Sequence, residues 1–202
     1  CLIMSGGEGS GNMRQYAMEL LNRFNCNVDI ICGRNAKLRR LLEREMAKKY
    51  GDRICVHGFV TDVERYMLES DLVIARGSPN SLMEAVVCNA PIMITGALPG
   101  QEAENPSLMV NHNLGVVCSK PTEVGQVVSS LIADGGRKLR QIMQAQRDYR
   151  NFDNARDIVE YIYAFARPIE YNVPPFKLKY PYDAKVRQLR RATHATRRGV
   201  RS

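Results

Sequence analysis

Asp71-Leu72-Val73-Ile74-Ala75-Arg76-Gly77-Ser78-Pro79-Asn80-Ser81 opens the stretch, running on to Asn105, whose reading decides the fold. The apolar run 72–75 enters a turn of small residues and then a helical pattern that carries Glu84. A second apolar run, 91–95, follows and leads into Pro99-Gly100-Gln101-Glu102-Ala103-Glu104-Asn105. Short apolar runs bounded by turn residues, each followed by helical periodicity, are the signature of strand–helix repeats in a parallel sheet. Working outward, the same unit recurs. Strands are expected at 2–4, 28–32, 53–56, 72–75, 91–95 and 116–118, with helices at 13–24, 36–50, 63–70, 81–88 and 101–110. Thr61 or Asp62 suits the N-cap of the third helix. Six such strands predict an α/β, Rossmann-like parallel six-stranded sheet in the order 3-2-1-4-5-6, with helices on both faces. Further helices are expected at 122–133, 137–149 and 154–166.

The composition fits a globular chain: 45% hydrophobic and 25% charged over 202 residues, enough for one domain with a sizeable core and an extension. No apolar run approaches the ~18–20 residues of a membrane-spanning helix, and no charged-then-apolar leader opens the chain. The chain begins at Cys1 already inside a strand-like run, as expected of a piece of a longer protein. Net charge is +8, but residues 168–202 hold nine Lys/Arg against Glu170 and Asp183, so the basic character belongs to the tail. Two regions are therefore expected: a nucleotide-sugar-binding domain over 1–167, and a Pro/Tyr-rich linker with a basic tail over 168–202.

A small-residue turn between strand and helix aims free backbone N–H groups and the positive end of the helix dipole at an anion, typically a phosphate. Ser78, Asn80 and Ser81 form such a turn. Glu84, inside the helix that follows, can accept two hydrogen bonds from a ribose diol. Gln101, Glu102 and Asn105 are expected to open the next helix, with Gln101 and Asn105 at i and i+4 sharing one face; amides and a carboxylate suit sugar hydroxyls. Phosphate, ribose and hexose receptors in that order describe a nucleotide-sugar site. Ser5-Gly6-Gly7-Glu8-Gly9-Ser10-Gly11, after the first strand, gives phosphate oxygens a second close backbone approach through Gly7 and Gly9. It is neither a GxGxxG fingerprint nor a Walker A loop. Arg34, closing strand 2, faces the diphosphate, the base or solvent. Gly58, after strand 3, offers backbone to a uracil ring. Phe59 beside it is, by residue type, more often a core side chain than a base platform.

No metal site is expected. The six cysteines show no CxxC spacing, there is no Asp-x-Asp pair, and the three histidines form no Ser-His-Asp or Cys-His set by spacing. Diphosphate charge must then be met by backbone N–H groups, helix dipoles and Arg34 or Arg76. The cysteines read as reduced core residues, which points to a reducing, intracellular compartment.

Taken in order, Gly6-Gly7-Glu8-Gly9, Cys32-Gly33-Arg34-Asn35, Gly58-Phe59-Val60, Glu84-Ala85 and Gly100-Gln101-Glu102-Ala103-Glu104-Asn105 resemble the blocks of the glycosyltransferase family 28 C-terminal domain, and most closely its monogalactosyldiacylglycerol synthase branch. The likeness runs from about Leu2 to Ala166. It implies the donor-binding half of a two-domain GT-B enzyme, inverting and metal-independent. Carried over by position, Gly7 and Gly9 would face the diphosphate, Gly58 and Phe59 the uracil, Ser78 to Ser81 the phosphates, Glu84 the ribose, and Gln101, Glu102 and Asn105 the hexose. The family usually shows Gly-Pro-Gly-Thr where this chain has Ser78-Pro79-Asn80-Ser81, which adds side-chain bulk beside the phosphates and keeps one hydroxyl.

The function expected is transfer of galactose or glucose from a UDP-sugar to diacylglycerol, with UDP-hexose as substrate and no cofactor. The acceptor-activating base is expected in an N-terminal acceptor domain outside this chain. Two alternatives stand beside it: a non-catalytic donor-binding subunit that pairs with a separate acceptor subunit, as in the dolichol-pathway N-acetylglucosaminyl transferase, and an NAD(P) oxidoreductase on a similar sheet. The basic tail, interleaved with Tyr and Phe, suits an anionic membrane surface or is a solvated end; nucleic acid is the less favoured partner. A peripheral membrane location follows from the first reading of the tail.

Overall fold

The computed structural model describes residues 1–4, 12–151 and 153–165. The elements are β1 (Leu2–Met4), α1 (Met13–Arg23), β2 (Val28–Ile31), α2 (Ala36–Tyr50), β3 (Ile54–His57), α3 (Val63–Leu68), β4 (Val73–Ala75), α4 (Pro79–Val87), β5 (Ile92–Ile94), α5 (Asn105–Asn111), β6 (Gly115–Val117), α6 (Val124–Tyr149) and α7 (Asn154–Phe165). Short 3-10 turns precede β3 and α6. All six strands pair in parallel, in the order β3-β2-β1-β4-β5-β6. That is the expected sheet, and its order reverses between β1 and β4, where ligands of such sheets bind beyond the carboxyl ends of the strands.

Strands β1, β4 and β5 are apolar at every position because both faces are covered, and they are buried throughout; β2 departs from this only at the half-buried Asp29. Alternation then splits the core in two. Ile3, Ile30, Ile74 and Met93 face α1, α2 and α6, with Tyr16, Leu20, Leu42 and Val128. Leu2, Met4, Val73, Ile92 and Ile94 face the other way, with Met67, Leu82, Ala85 and Met109 from α3, α4 and α5. Each of the buried Leu, Ile, Val and Met side chains stabilises the fold by about 1.5–3 kcal/mol relative to exposure. The edge strands are only half covered, and Cys55 of β3 is exposed.

Several local expectations change. Most strand ends move by one residue. The helix after β4 begins at Pro79, two residues before the expected start, because a proline at the first helical position sacrifices only an N–H that has no intrahelical partner. Asp62 takes the N-cap position of α3, but its side chain makes no capping hydrogen bond. The two helices expected at 122–133 and 137–149 are one run, α6, broken at Ala133–Gly136, where Asp134, Gly135 and Gly136 adopt positive φ. The largest change concerns α5. It starts at Asn105, and 99–104 form a turn instead of a first helical turn. Within 99–104 the backbone closes i to i−3 turns, Ala103 N–H donating to Gly100 O and Asn105 N–H to Glu102 O, in place of helical i to i−4 bonds.

Residues Cys1–Ala155 form one compact unit, and a second begins at Arg156. Among the described residues no helix is long and apolar enough to cross a membrane. The loop carrying Gly7 and Gly9, and the linker and basic tail over 168–202, lie outside the described residues.

Candidate functional site

The loops after β2, β3, β4 and β5 all leave the same end of a parallel sheet, so topology gathers their residues at one edge. At the centre, the turn after β4 is tied to the turn after β5 through its backbone. Gly77 N–H donates to Gly96 O at 2.7 Å, and Thr95 N–H donates to Ala75 O at 2.9 Å. Gly77 packs closely there: a Cβ on it would lie 3.2 Å from Gly96 O and 3.4 Å from the Ala97 Cβ, tighter than an ordinary contact. Asn105 then donates from Nδ2 to Gly77 O at 2.8 Å, which fixes the start of α5 against this turn.

Ser78 is the N-cap residue of α4, yet its side chain does not cap the helix. Its hydroxyl donates instead to Ser81 Oγ at 3.0 Å. The first N–H groups of a helix find no carbonyl within it, so the Asn80 and Ser81 amides are left to an external acceptor. Asn80 is exposed beside them and Ser81 is buried at 7% exposure.

Glu84, one turn further on, is exposed on a groove of about 470 Å³ lined by Thr61, Val63, Glu64, Asn80 and Met83. The groove joins the loop after β3 to the start of α4, where base, ribose and phosphate receptors were expected in succession. Partial desolvation against the groove wall pushes the Glu84 carboxyl above the usual glutamate value, and the Glu64 carboxylate adds to the shift.

Gly58 sits tight against α2, where a Cβ would lie 3.2 Å from Arg39 Nη1. Phe59 is 55% exposed, not a core side chain, because β3 is an edge strand and the loop beyond it leaves the sheet. The Arg34 guanidinium lies over the Phe59 ring, 4.8 Å from its centroid. Two residues singled out separately in sequence thus form one stacked pair.

The sugar cluster is rearranged. Since α5 begins at Asn105, Gln101 and Asn105 do not share a helix face. Gln101 is exposed on the turn, whereas Glu102 is buried. Glu102 accepts the Leu98 N–H at 2.9 Å. It also pairs with Arg76: Nη2 donates to Oε1 at 3.4 Å, and Nε lies 3.3 Å from Oε2 without hydrogen-bond alignment. Arg76, considered for the diphosphate, is therefore engaged by Glu102. A carboxylate with these two partners braces the turn; Gln101 is the member of the set left at the surface.

One grouping had no sequence signal. Asp29 of β2 and Cys55 and His57 of β3 place their ligand atoms within 4.8 Å of one another, although spacing suggested neither a metal set nor a Cys–His set. The register of two strands distant in sequence creates it. Cys32 and Cys118 are buried, and burial raises both thiols to about 11, so they stay protonated and inert; the exposed Cys55 departs from the expected core role.

The fold is a Rossmann-like α/β domain, a six-stranded parallel sheet with helices on both faces. The sequence model of the glycosyltransferase family 28 C-terminal domain matches residues 4–161, and the chain belongs to that family. It is 28% identical over 169 residues to monogalactosyldiacylglycerol synthase 3, chloroplastic, of Arabidopsis thaliana, covering 78% of this chain and 36% of the relative. It thus spans about a third of the length of such relatives. Among solved structures, MurG of Acinetobacter baumannii superposes with a TM-score of 0.65 at 15% identity, covering 81% of this chain and 49% of that one. The Staphylococcus aureus MnaA–UDP co-structure superposes with a TM-score of 0.63 at 19% identity, covering 87% and 48%. At such identities the two structures speak for the fold alone.

Proposed function

We propose that this chain is the donor-binding half of an inverting, metal-independent glycosyltransferase that transfers a hexose, galactose or glucose, from a UDP-sugar to diacylglycerol. The observation that carries the reading is the groove from Thr61 to Glu84, which leads onto the uncapped start of α4. Family membership, and relatives named for monogalactosyldiacylglycerol synthesis, support the donor and acceptor classes.

In this reading uridine lies against Gly58 and the Arg34–Phe59 pair, Glu84 accepts from the ribose diol, and the diphosphate meets the Asn80 and Ser81 N–H groups. Gln101 reaches the hexose. The acceptor hydroxyl attacks the anomeric carbon from the opposite face, the bond to the diphosphate oxygen breaks, and UDP leaves. Charge develops on that oxygen, where fixed N–H groups and the α4 dipole stabilise it without reorganising. The base that takes the acceptor proton belongs to a further domain or subunit that supplies the acceptor, and the tail over 168–202 contributes contact with an anionic membrane surface.

Titrating UDP, UDP-galactose, UDP-glucose and pyrophosphate into the parent and Glu84→Ala chains tests this. The substitution should cost UDP and the UDP-hexoses about 1.5–3 kcal/mol, the range for hydrogen bonds to a charged group, and leave pyrophosphate unchanged. Binding by the parent should persist in EDTA. Equal losses for all four ligands would reject the ribose role, and failure of any uridine nucleotide to bind would reject the function.

A further inference from the structure

The grouping at the β2–β3 edge is built by the sheet. Asp29 pairs with Cys55, and Ile31 with His57. Registered partners on neighbouring strands share a face, and residues i and i+2 return to it, so Asp29, Cys55 and His57 project together. His57 Nε2 lies 2.7 Å from Asp29 Oδ1. Tyr66 of α3 sets its ring edge-on against His57, with centroids 4.8 Å apart, and so fixes the imidazole. A polar cavity of about 540 Å³, lined in part by Asp29, Tyr66, Glu69 and Asp71, adjoins the cluster, and its carboxylates favour a cation.

We propose that Asp29, Cys55 and His57 form a Zn2+ site. One thiolate, one imidazole and one carboxylate are the ligand types zinc takes, and three protein ligands leave a fourth position to water. Mg2+ and Ca2+ prefer oxygen ligands throughout. Zinc bonds of about 2.0–2.3 Å put tetrahedral ligands roughly 3.3–3.7 Å apart. The Asp29–His57 contact must open by under ~1 Å to reach that spacing, and the Cys55 thiol turns inward to complete it. A His–Asp hydrogen bond accounts for two of the three residues; the exposed thiol beside them is what the metal explains. On binding, Cys55 loses its thiol proton to solvent, and the imidazole keeps its proton on Nδ1, leaving the Nε2 lone pair for the metal. Affinity therefore falls as pH drops. The ion would cross-link edge strand β3 to β2 one residue before Gly58. It stands apart from the phosphate turn after β4, since β1 lies between β2 and β4.

The test is a Co2+ titration of the full chain, followed by Zn2+. One equivalent of Co2+ should produce thiolate-to-metal charge-transfer absorption, and one equivalent of Zn2+ should abolish it. Cys55→Ser should remove the band and Cys88→Ser should keep it, while Asp29→Asn should weaken the metal by at least ~10-fold. Far-UV circular dichroism of each variant shows that the fold is intact. Absence of the band, or its survival in Cys55→Ser, overturns the site. UDP binding by the parent chain, measured in parallel, bears on the glycosyltransferase reading, and its failure leaves the metal test intact.

Discussion

The turns after β4 and β5 and the loops after β2 and β3 serve the same edge of the sheet by different means. The first pair is braced from inside: Gly77 is tied to Gly96 and Asn105, and buried Glu102 holds Arg76 and the Leu98 amide. The second pair is tied by one backbone bond, Cys32 N–H to His57 O at 2.9 Å, and beyond it meets through exposed side chains, Arg34 lying over Phe59. Backbone held by buried contacts is preorganised, which is what a developing negative charge requires. An exposed stacked pair can discriminate a base and tolerate substitution without unfolding the chain. Phosphate recognition should thus be inseparable from stability on one side, and base recognition separable from it on the other.

The sharpest way to break this contrast is Glu102→Ala. It strands Arg76 and the Leu98 N–H, and should cost about 1.5–3 kcal/mol of stability in urea unfolding, with UDP affinity falling alongside. Unaltered stability combined with a changed ratio of UDP-hexose to UDP affinity would return Glu102 to the sugar.

Asn105→Ala and Gln101→Ala come next. Loss of the Asn105–Gly77 bond should weaken UDP and UDP-hexose alike by about 0.5–1.5 kcal/mol. Gln101→Ala should affect only the UDP-hexose, as competition assays can read. If the two variants behave alike, the turn at 99–104 does not divide their roles.

Phe59→Ala should lose only the exposed cation–π contact, about 0.5–1 kcal/mol, with the thermal midpoint nearly unchanged. Its effect should appear as poorer preference for UDP over ADP. A large fall in stability would show that this loop is braced like the other.

The smallest effect is expected from Glu64→Gln. Partial desolvation and, second, the Glu64 carboxylate raise Glu84 above the usual glutamate value. As pH falls, Glu84 takes up its proton earlier than an ordinary glutamate, and UDP binding weakens with it. Removing the Glu64 charge lowers the Glu84 pKa, so the acid limb of UDP binding should move to lower pH than in the parent. Protonation of UDP itself is common to both titrations and cancels; a shift to higher pH, or none, would separate Glu84 from the ligand.

The sequence by itself determined the six strands and their order, because apolar runs alternating with helical periodicity leave a parallel sheet few topologies, and the ordered motif blocks carried the resemblance to the family. It also marked the small-residue turn and Glu84, since a strand–turn–helix junction exposes N–H groups wherever it occurs. Tertiary structure decided the rest. Residues 100–105 close i to i−3 turns in place of helical bonds, so the i, i+4 relation of Gln101 and Asn105 had no helix to act on. Glu102 and Gln101 are neighbours in sequence, yet only the packing against Arg76 and Leu98 assigns one to the interior and the other to the surface. Phe59 stays out of the core because β3 is the sheet's edge, and Asp29 meets Cys55 and His57 only through strand register. Local periodicity is written along the chain; which distant side chains share a face is fixed only when the strands pair.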